Sequence, residues 1–528
     1  MSFNLGNITR LAYPRLNDFL IAVMVATPLY FLAPIFLRVR ISDRNGNTLP
    51  PGPPIRYAFL RNYPERALDY WAKKYGPLFS IWMGSQLFVV ISDPQIARDL
   101  LVTQGATFSS RKRYFMKNQV ILRGRAITAS EYGDKWRQHR RIVAQVLAPK
   151  AMQGFASIME YESHILIKSL YEEGQKGKLP INPAHYAGRF ALNNMLIISF
   201  GMRTDSSSDP LVEKALILAM EFMDLTGPWS NVVDFFEPLQ WIPTAKRSRG
   251  HKVHDGLINV YGSMIRRFQS RMDSGGEVPD FLVKTLIQCR EEEGLDWEDI
   301  CMLAAVFTLG GVPSTSGIIQ WFLALIPSHP DIAAKAYEEL DRVVGRERWP
   351  NIDDEFNLPY IRAIIKEVQR VHAPFWMATP HYTSQDFAYK GNFIPKDTAV
   401  VLNCYTLHHN EERYPDPFTF KPERYLGDDL SCAESAKLGN AMDRDHWTFG
   451  AGRRICPGLP AAERELWLAI SRLLWAYTFH ALPDEPISLE EYDGKSGRTP
   501  RAYRLRLVPR LETLSLILKQ ADEVKISW

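Results

Sequence analysis

The sequence predicts a mainly α protein with a small β portion, preceded by one apolar segment near the N-terminus. Three observations carry this. Most of the chain reads as amphipathic helix, with apolar residues recurring at the helical period. One pair of short runs, "LFSIWMG" and "LFVVIS", reads as a hairpin. The stretch Phe19–Leu37 holds no charged residue over 19 positions.

The elements follow in chain order. Nineteen uncharged residues are just long enough to cross a bilayer. Arg38, Arg40 and Arg44 follow them, while Arg10 and Arg15 precede them, partly offset by Asp18. The positive-inside rule then favours a cytosolic C-terminal body. A cleaved signal peptide is the rival reading, but the run is long for one and only "RVRISDR" follows, without a small-residue cleavage site. Pro28 and Pro34 are tolerated in a membrane helix. Residues 1–44 are expected to be the anchor, with 19–37 crossing the membrane. The proline-rich 45–54, with "TLPPGPP" at Thr48–Pro54, forms a stiff hinge, and 55–528 a single large domain. Within that domain the hairpin takes Leu78–Gly84 and Leu87–Ser92. Helices are expected over Asp134–Leu147, Arg189–Phe200, Val253–Met272 and Asp331–Val344.

One helix stands apart. It starts at the N-cap Asp296, after the loop glycine Gly294, and runs to Ile326, before "PSHP". Its second half is apolar on nearly every face, which places it in a core. It also carries Gly310, Gly311 and Pro313 at its middle, residues expected to break or bend it. A core helix bent at its centre is a place for a ligand.

Composition narrows the classes. The chain has 528 residues, 46% hydrophobic and 23% charged, so it is globular. Its net charge of +4 is too small for a nucleic-acid binder. Five cysteines, an odd number without a CxxC pair, rule against a disulfide framework or a zinc ribbon.

One of those cysteines lies in "FGAGRRICPG", Phe449 to Gly458. Glycines there permit tight turns and close approach to a flat cofactor. Cys456 stands at the start of the helix "PGLPAAERELWLAISRLLWAYTF", whose N-terminus supplies unpaired N–H groups and partial positive charge, and Arg453 and Arg454 add to it. All of these stabilise a thiolate. One thiolate cannot build a zinc site, whereas a haem iron needs only one such protein ligand.

Phe449, Gly452, Arg454, Cys456 and Gly458 match the Phe-x-x-Gly-x-Arg-x-Cys-x-Gly signature, in which the chain resembles the cytochrome P-450 haem-thiolate monooxygenases. Three further elements fit in order. "EVQR" gives Glu367 and Arg370, "FKPERY" gives Arg424, and "WRQHR" gives Trp136 and Arg140. The resemblance runs from about Pro50 to Pro509. It is closest to the microsomal eukaryotic branch and to fungal secondary-metabolism members. It implies the P-450 fold, with haem b held by Cys456 as axial ligand and Phe449 beside it. Trp136, Arg140, His381 and Arg454 are implied to hold the propionates. Glu367, Arg370 and Arg424 form a structural network, since buried charges must satisfy one another. The implied partners are an NADPH–cytochrome P-450 reductase and cytochrome b5. The implied location is the endoplasmic reticulum membrane, single-pass, with the catalytic domain cytosolic.

The sequence departs from the family at "GGVPST". Gly310 and Gly311 match, but Pro313 stands where the family has an acid, with Ser314 and Thr315 at the two hydroxyl positions. Acid and hydroxyl help deliver protons in the family, and proline has neither a titratable group nor an N–H. Three readings stay open: an ordinary monooxygenase relaying protons through Ser314, Thr315 and water; a haem-thiolate isomerase or dehydratase needing no oxygen activation; and a non-catalytic haem-binding protein. The resemblance places the substrate pocket at Tyr114–Arg125, at Met220–Trp241, at Val306 and Phe307, and at Phe375, Trp376 and Met377. No residue in these regions demands a charged substrate, so a small apolar or aromatic one is expected. Arg137, Arg141 and Arg453 are candidates for docking the reductase by charge complementarity.

Overall fold

The hairpin's residues are apolar without alternation, and they form strands buried on both faces. The structure, a computed structural model, describes residues 21, 24–34, 36–37, 41–57, 63–206, 209–227, 230–275, 280–493 and 497–522. Strands β1 (Arg56–Tyr57), β2 (Leu78–Met83), β3 (Gln86–Ile91), β4 (Ser110–Arg111), β5 (His381–Tyr382) and β6 (Ala399–Leu402) form one mixed sheet in the order β1-β2-β3-β6-β5-β4. The β2–β3 register runs from Leu78↔Ile91 to Met83↔Gln86. Its turn uses Gly84 at φ +53, where a Cβ would lie 2.3 Å from the Phe235 carbonyl. The β4–β5 pairing matters most for the site, because it sets Arg111 opposite His381.

The rest is mainly helical, as expected. The helices that build the site are α1 (Asp134–Val146), α2 (Pro183–Phe200), α3 (Pro210–Thr226), α4 (Ala245–Asp273), α5 (Trp297–Leu325), α6 (Pro359–Val371) and α7 (Leu459–Ala476). The helix anticipated at 331–344 covers Pro330–Val343. α2 and α4 begin earlier than their apolar periodicity indicates. Polar caps start them: Asn182 accepts from the Ala184 N–H at 3.0 Å, and Thr244 from the Arg247 N–H at 3.2 Å.

α5 is the central element. Asp296 caps it reciprocally with Asp299, accepting from the Asp299 N–H at 2.7 Å. It packs along α2, and also against α4 and α7. The expected break at Gly310–Pro313 does not occur: the helix runs unbroken through all of them. Gly311 has a packing role, since a Cβ there would sit 2.1 Å from Met195 Sδ on α2. Pro313 removes one N–H from the ladder, but close packing holds the backbone helical on either side. The Ser314 hydroxyl donates to the Gly310 carbonyl at 2.7 Å, and Ser316 to Val312 at 2.6 Å.

The charged network forms on α6. Arg370 donates through Nε and Nη2 to the two oxygens of Glu367, both at 2.7 Å, and Arg424 Nε reaches Glu367 at 3.3 Å. Arg370 Nη1 also donates to the His408 and Pro417 carbonyls, each at 2.7 Å. Glu367 and Arg370 are fully buried, and every charge in the set has a partner.

The expected anchor, 19–37, lies in part outside the described residues. Those described in it are largely helical, with Met24, Val25 and Leu29 exposed. Tyr30 and Phe31 pack on Phe236, with ring centroids 5.8 and 6.2 Å apart. Among the described residues one helix, Trp297–Ser328, is long and apolar enough to span a membrane, and 72% of its apolar window is buried inside the protein.

Candidate active site

A cavity of about 310 Å³ opens between α5 on one side and the Phe449–Gly458 loop with the start of α7 on the other. Cys456 Sγ lines its floor. The loop is held from within, for the Cys456 N–H donates to the Phe449 carbonyl at 2.9 Å. Gly452, at φ +60, lets it press against the Leu101 carbonyl, which a Cβ would approach to 2.0 Å. α7 begins at Leu459, so Cys456 stands just ahead of the helix rather than in its first turn. Burial raises the thiol above its ordinary value, while the Gly458 and Leu459 N–H groups and Arg140 pull it down. The thiolate is therefore favoured once a metal cation displaces the proton.

The adjacent arginines divide their roles, which corrects the expectation that both bear on the sulfur. Arg453 turns outward and donates to the Tyr132 hydroxyl. Arg454 is buried and donates to three backbone carbonyls: Ser109 at 2.6 Å, Ile127 at 3.0 Å and Ser130 at 2.7 Å. The cation acting on Cys456 is Arg140, whose guanidinium also donates to the Ile455 carbonyl at 2.7 Å.

Arg454, Arg140, Trp136, Phe449 and His381 all line the cavity, as the resemblance implies. The sequence reading missed a sixth, Arg111. It is buried on β4, its Nε has no partner, and one Nη donates to the Thr379 carbonyl. Only the β4–β5 pairing, between segments far apart in the chain, brings it beside His381. Burial pulls Arg111 down to about 9, and burial with Arg111 and Arg140 nearby pulls Arg454 down to about 8. The single carboxylate among the described lining residues is Glu465 on α7. Its acid is pushed up to about 8 by burial, with the Thr315 hydroxyl pulling the other way, and its oxygens are otherwise unpartnered.

One end of the cavity thus holds three crowded guanidiniums and an orphaned Trp136 indole N–H, with Arg454 stacked 4.3 Å over the Trp136 ring. No ionised protein carboxylate among the described lining residues answers them. A haem, with two propionates and an iron to take the thiolate, fits that imbalance. His381 is buried and held neutral by burial and by Arg111 and Arg454. Its Nδ1 lies 2.7 Å from the Phe108 carbonyl, which makes Nδ1 the protonated nitrogen.

Across the cavity, Gly310, Ser314 and Thr315 line the α5 wall. Phe222, Met223, Val306, Phe307 and Phe375 supply an apolar surround. Two anticipated pocket residues face elsewhere. Trp376 packs on Tyr405, with centroids 5.1 Å apart, and Met377 joins the apolar cluster against the sheet. The chain turns sharply after Phe375, with Ala378 at φ +48, so the neighbours of Phe375 are directed away. The docking candidates Arg137 and Arg141 are exposed and paired, at 2.5 Å each, with Asp134 and Glu293. A second buried cluster, Cys432, Asp445 and His446, lies off the cavity, with Cys432 Sγ 3.6 Å from His446 Nε2.

A mainly helical protein with one half-buried cysteine lining an arginine-ended cavity belongs to the haem-thiolate class. The family model for cytochrome P-450 matches residues 50–507. The chain is 30% identical to the cytochrome P-450 monooxygenase polD of Polytolypa hystricis over 90% of this chain and 92% of that one. It is 32% identical to the monooxygenase verL of Clonostachys rogersoniana over 84% and 83%. In fold it matches a zebrafish cytochrome P-450 solved with abiraterone, at TM-score 0.70 and 23% identity, over 85% of this chain and all of that one. The chain belongs to the cytochrome P-450 family, and it is an enzyme of the monooxygenase type.

Proposed function

We propose that the protein inserts one oxygen atom of dioxygen into a small, largely apolar substrate in a fungal secondary-metabolite pathway, with Cys456 as the iron ligand. The observation that carries this is the pairing of a cavity-facing cysteine with three guanidiniums, Arg111 and Arg454 buried and Arg140 half-buried, that have no ion pair among the described residues. Bound haem supplies oxygen activation, and a thiolate ligand favours O–O cleavage. The chain's own residues do the rest. Arg111, Arg140, Arg454 and the Trp136 indole N–H offer donors to the two propionates. His381, neutral with its proton on Nδ1, lines the same end and helps to position Arg111 and Arg454. Phe222, Val306, Phe307 and Phe375 exclude water around the substrate. Ser314 lines the cavity and donates its proton to the Gly310 carbonyl, so its oxygen is left to accept. It serves as an acceptor and relay for water-borne protons in place of the acid that Pro313 replaces. Thr315, beside Glu465, is the second relay group.

The electrons come from NADPH through a membrane-bound reductase, with cytochrome b5 as a second donor. Outward-facing Arg453 is better placed for docking than Arg137 and Arg141, whose charges are already paired. Residues 1–44 anchor the chain in the endoplasmic reticulum membrane with the catalytic domain in the cytosol. Support comes from the exposed Met24, Val25 and Leu29 and from the nearby apolar tip Leu239, Trp241 and Ile242, where Trp241 is 87% exposed. Pro313 favours a second reading, an isomerisation or dehydration that needs no proton delivery.

A carbon-monoxide difference spectrum of the reduced protein tests the ligand. The red-shifted thiolate band is expected in the wild type and absent in Cys456→Ala. A wild type without it, or a Cys456→Ala protein that keeps it, overturns the assignment. Turnover that requires NADPH, reductase and dioxygen supports monooxygenation, and conversion without them selects the second reading.

A further inference from the structure

The cavity holds one cation more than the cofactor explains. Lys117 lies on a short π-helical turn, Phe115–Ile121, and its side chain lines the cavity. Its ammonium has no hydrogen bond and no ion pair among the described residues. It is half-buried, open towards the cavity rather than the bulk, and burial together with Arg111 pulls it down to about 8. Arg111 is the one charged neighbour acting on it, and it repels. Three residues earlier, Tyr114 is 6% exposed and lines the same cavity. Its hydroxyl is buried without a hydrogen-bond partner, with Asp234 and Arg111 as its charged neighbours. A buried hydroxyl and a half-buried ammonium left unpaired are both costly, and an acceptor anion in the cavity they line lowers those costs.

The two propionates of a haem do not need them. Arg454 and Arg140 act on each other and, with Trp136, serve the end next to Cys456, and Arg454 and Arg111 bear on His381. Lys117 interacts with none of Arg140, Arg454 or His381, and with Arg111 alone. It lines the same cavity as Val306, Phe307 and Phe375, next to Arg111 and apart from Arg140 and Arg454 in its electrostatic contacts. Glu465, the one acid of the described lining, is no counter-ion for it, because it lies beside Thr315 and does not act on Lys117.

We propose that the Tyr114 hydroxyl and the Lys117 ammonium form a carboxylate-binding end of the substrate cavity, so that the enzyme's substrate is an apolar carboxylic acid. This rests on the haem-thiolate reading and replaces the expectation of an uncharged substrate. The apolar body lies among Phe222, Phe307 and Phe375, and the carboxylate is fixed at the Lys117 end. That fixes which carbon of the body faces Cys456.

Matched probes test it. Dodecanoic acid with methyl dodecanoate, and biphenyl-4-carboxylic acid with its methyl ester, are titrated into the full-length holoenzyme at pH 7 by the shift of the haem spectrum. At least one acid is expected to bind roughly tenfold or more tighter than its ester, the worth of a charge-assisted hydrogen bond. Lys117→Met and Lys117→Gln are expected to abolish that preference by weakening the acid alone. Tyr114→Phe is expected to reduce it several-fold. Equal binding of acid and ester, or no shift with either acid, in a protein that keeps its thiolate band overturns the proposal. So does a Lys117→Met protein that loses haem but keeps the preference, since Lys117 then serves a propionate. A wild type without the thiolate band overturns the underlying haem reading as well.

Discussion

The two walls of the cavity are built to different standards. On the cysteine side, charged groups are tied to backbone. Arg454 is spent on three carbonyls, Arg370 on two carbonyls and Glu367, and the Trp447 N–H donates to His408 Nε2 at 2.7 Å. Around the rest of the cavity, polar groups have few protein partners: the Tyr114 hydroxyl and the Lys117 ammonium have no hydrogen bond among the described residues, and Ser314 on α5 bonds only within its own helix. The first wall fixes a position and the second leaves chemistry open. A buried donor tied to backbone acts in folding, whereas one left untied is stable only when a ligand supplies its partner.

Substitutions should separate the walls, and the largest effect belongs to the network under the cysteine loop. Glu367→Ala leaves Arg370 and Arg424 without their anion, at a cost of about 3–5 kcal/mol for breaking a buried pair. No folded holoenzyme is expected, as read by soluble yield and haem content. Next comes the arginine pair. Arg454→Leu orphans the carbonyls of Ser109, Ile127 and Ser130, at about 1–3 kcal/mol per orphaned group, and haem content should fall by at least about a hundredfold. Arg453→Leu, whose side chain faces Tyr132, should keep its haem. Equal losses in the two variants would erase the distinction between tied and outward-facing charge.

Acid should also attack the cysteine side. Burial holds His408 well below its ordinary value and His409 and His446 near about 4, from 6.5. These are bases with depressed folded values. Their contribution is fully present above pH 6.5 and is lost as pH falls from 6.5 towards 4, because the unfolded chain binds the protons first. The thiolate band should fade in that window while far-ultraviolet helicity persists. A band unchanged at pH 4.5 would show that these histidines do not support the loop. The smallest effect is expected on the other wall. Ser314→Ala should leave haem content and melting temperature unchanged and lower coupling of electrons to product by about threefold. A loss of haem there would mean that α5 is as structural as the loop opposite.

What the sequence reveals follows the same division. The cysteine loop is local, and its spacing identified Cys456, Phe449 and Arg454 directly. Trp136 and Arg140, on one turn of α1, were legible for the same reason. The start of α5 was readable from Asp296 because capping is a local rule. Arg111 was not legible, since it reaches the cavity only through a pairing with β5. The direction of Arg453 against Arg454 depends on a short turn, and that of Trp376 and Met377 on the backbone at Ala378. The unbroken course of α5 past Pro313 reflects packing on α2 and α7, which overrides a local preference. The segment of Lys117 is expected in the pocket, but its charge reads as making no demand on the substrate, because the absence of an ion pair shows only in the folded structure.

Arg454 and the Ser109 carbonyl it holds are 345 residues apart in sequence. During synthesis the first half of the cofactor's seat is therefore made long before the second. The carbonyls of Ser109, Ile127 and Ser130 remain hydrated until the last stretch of the chain leaves the ribosome. Haem capture must then be a late event, after release or close to it, and a stalled or truncated chain has nowhere to keep the cofactor. Ribosome-bound chains halted before residue 454 should accordingly carry no haem, and finding it there would mean that the seat is assembled earlier from other contacts.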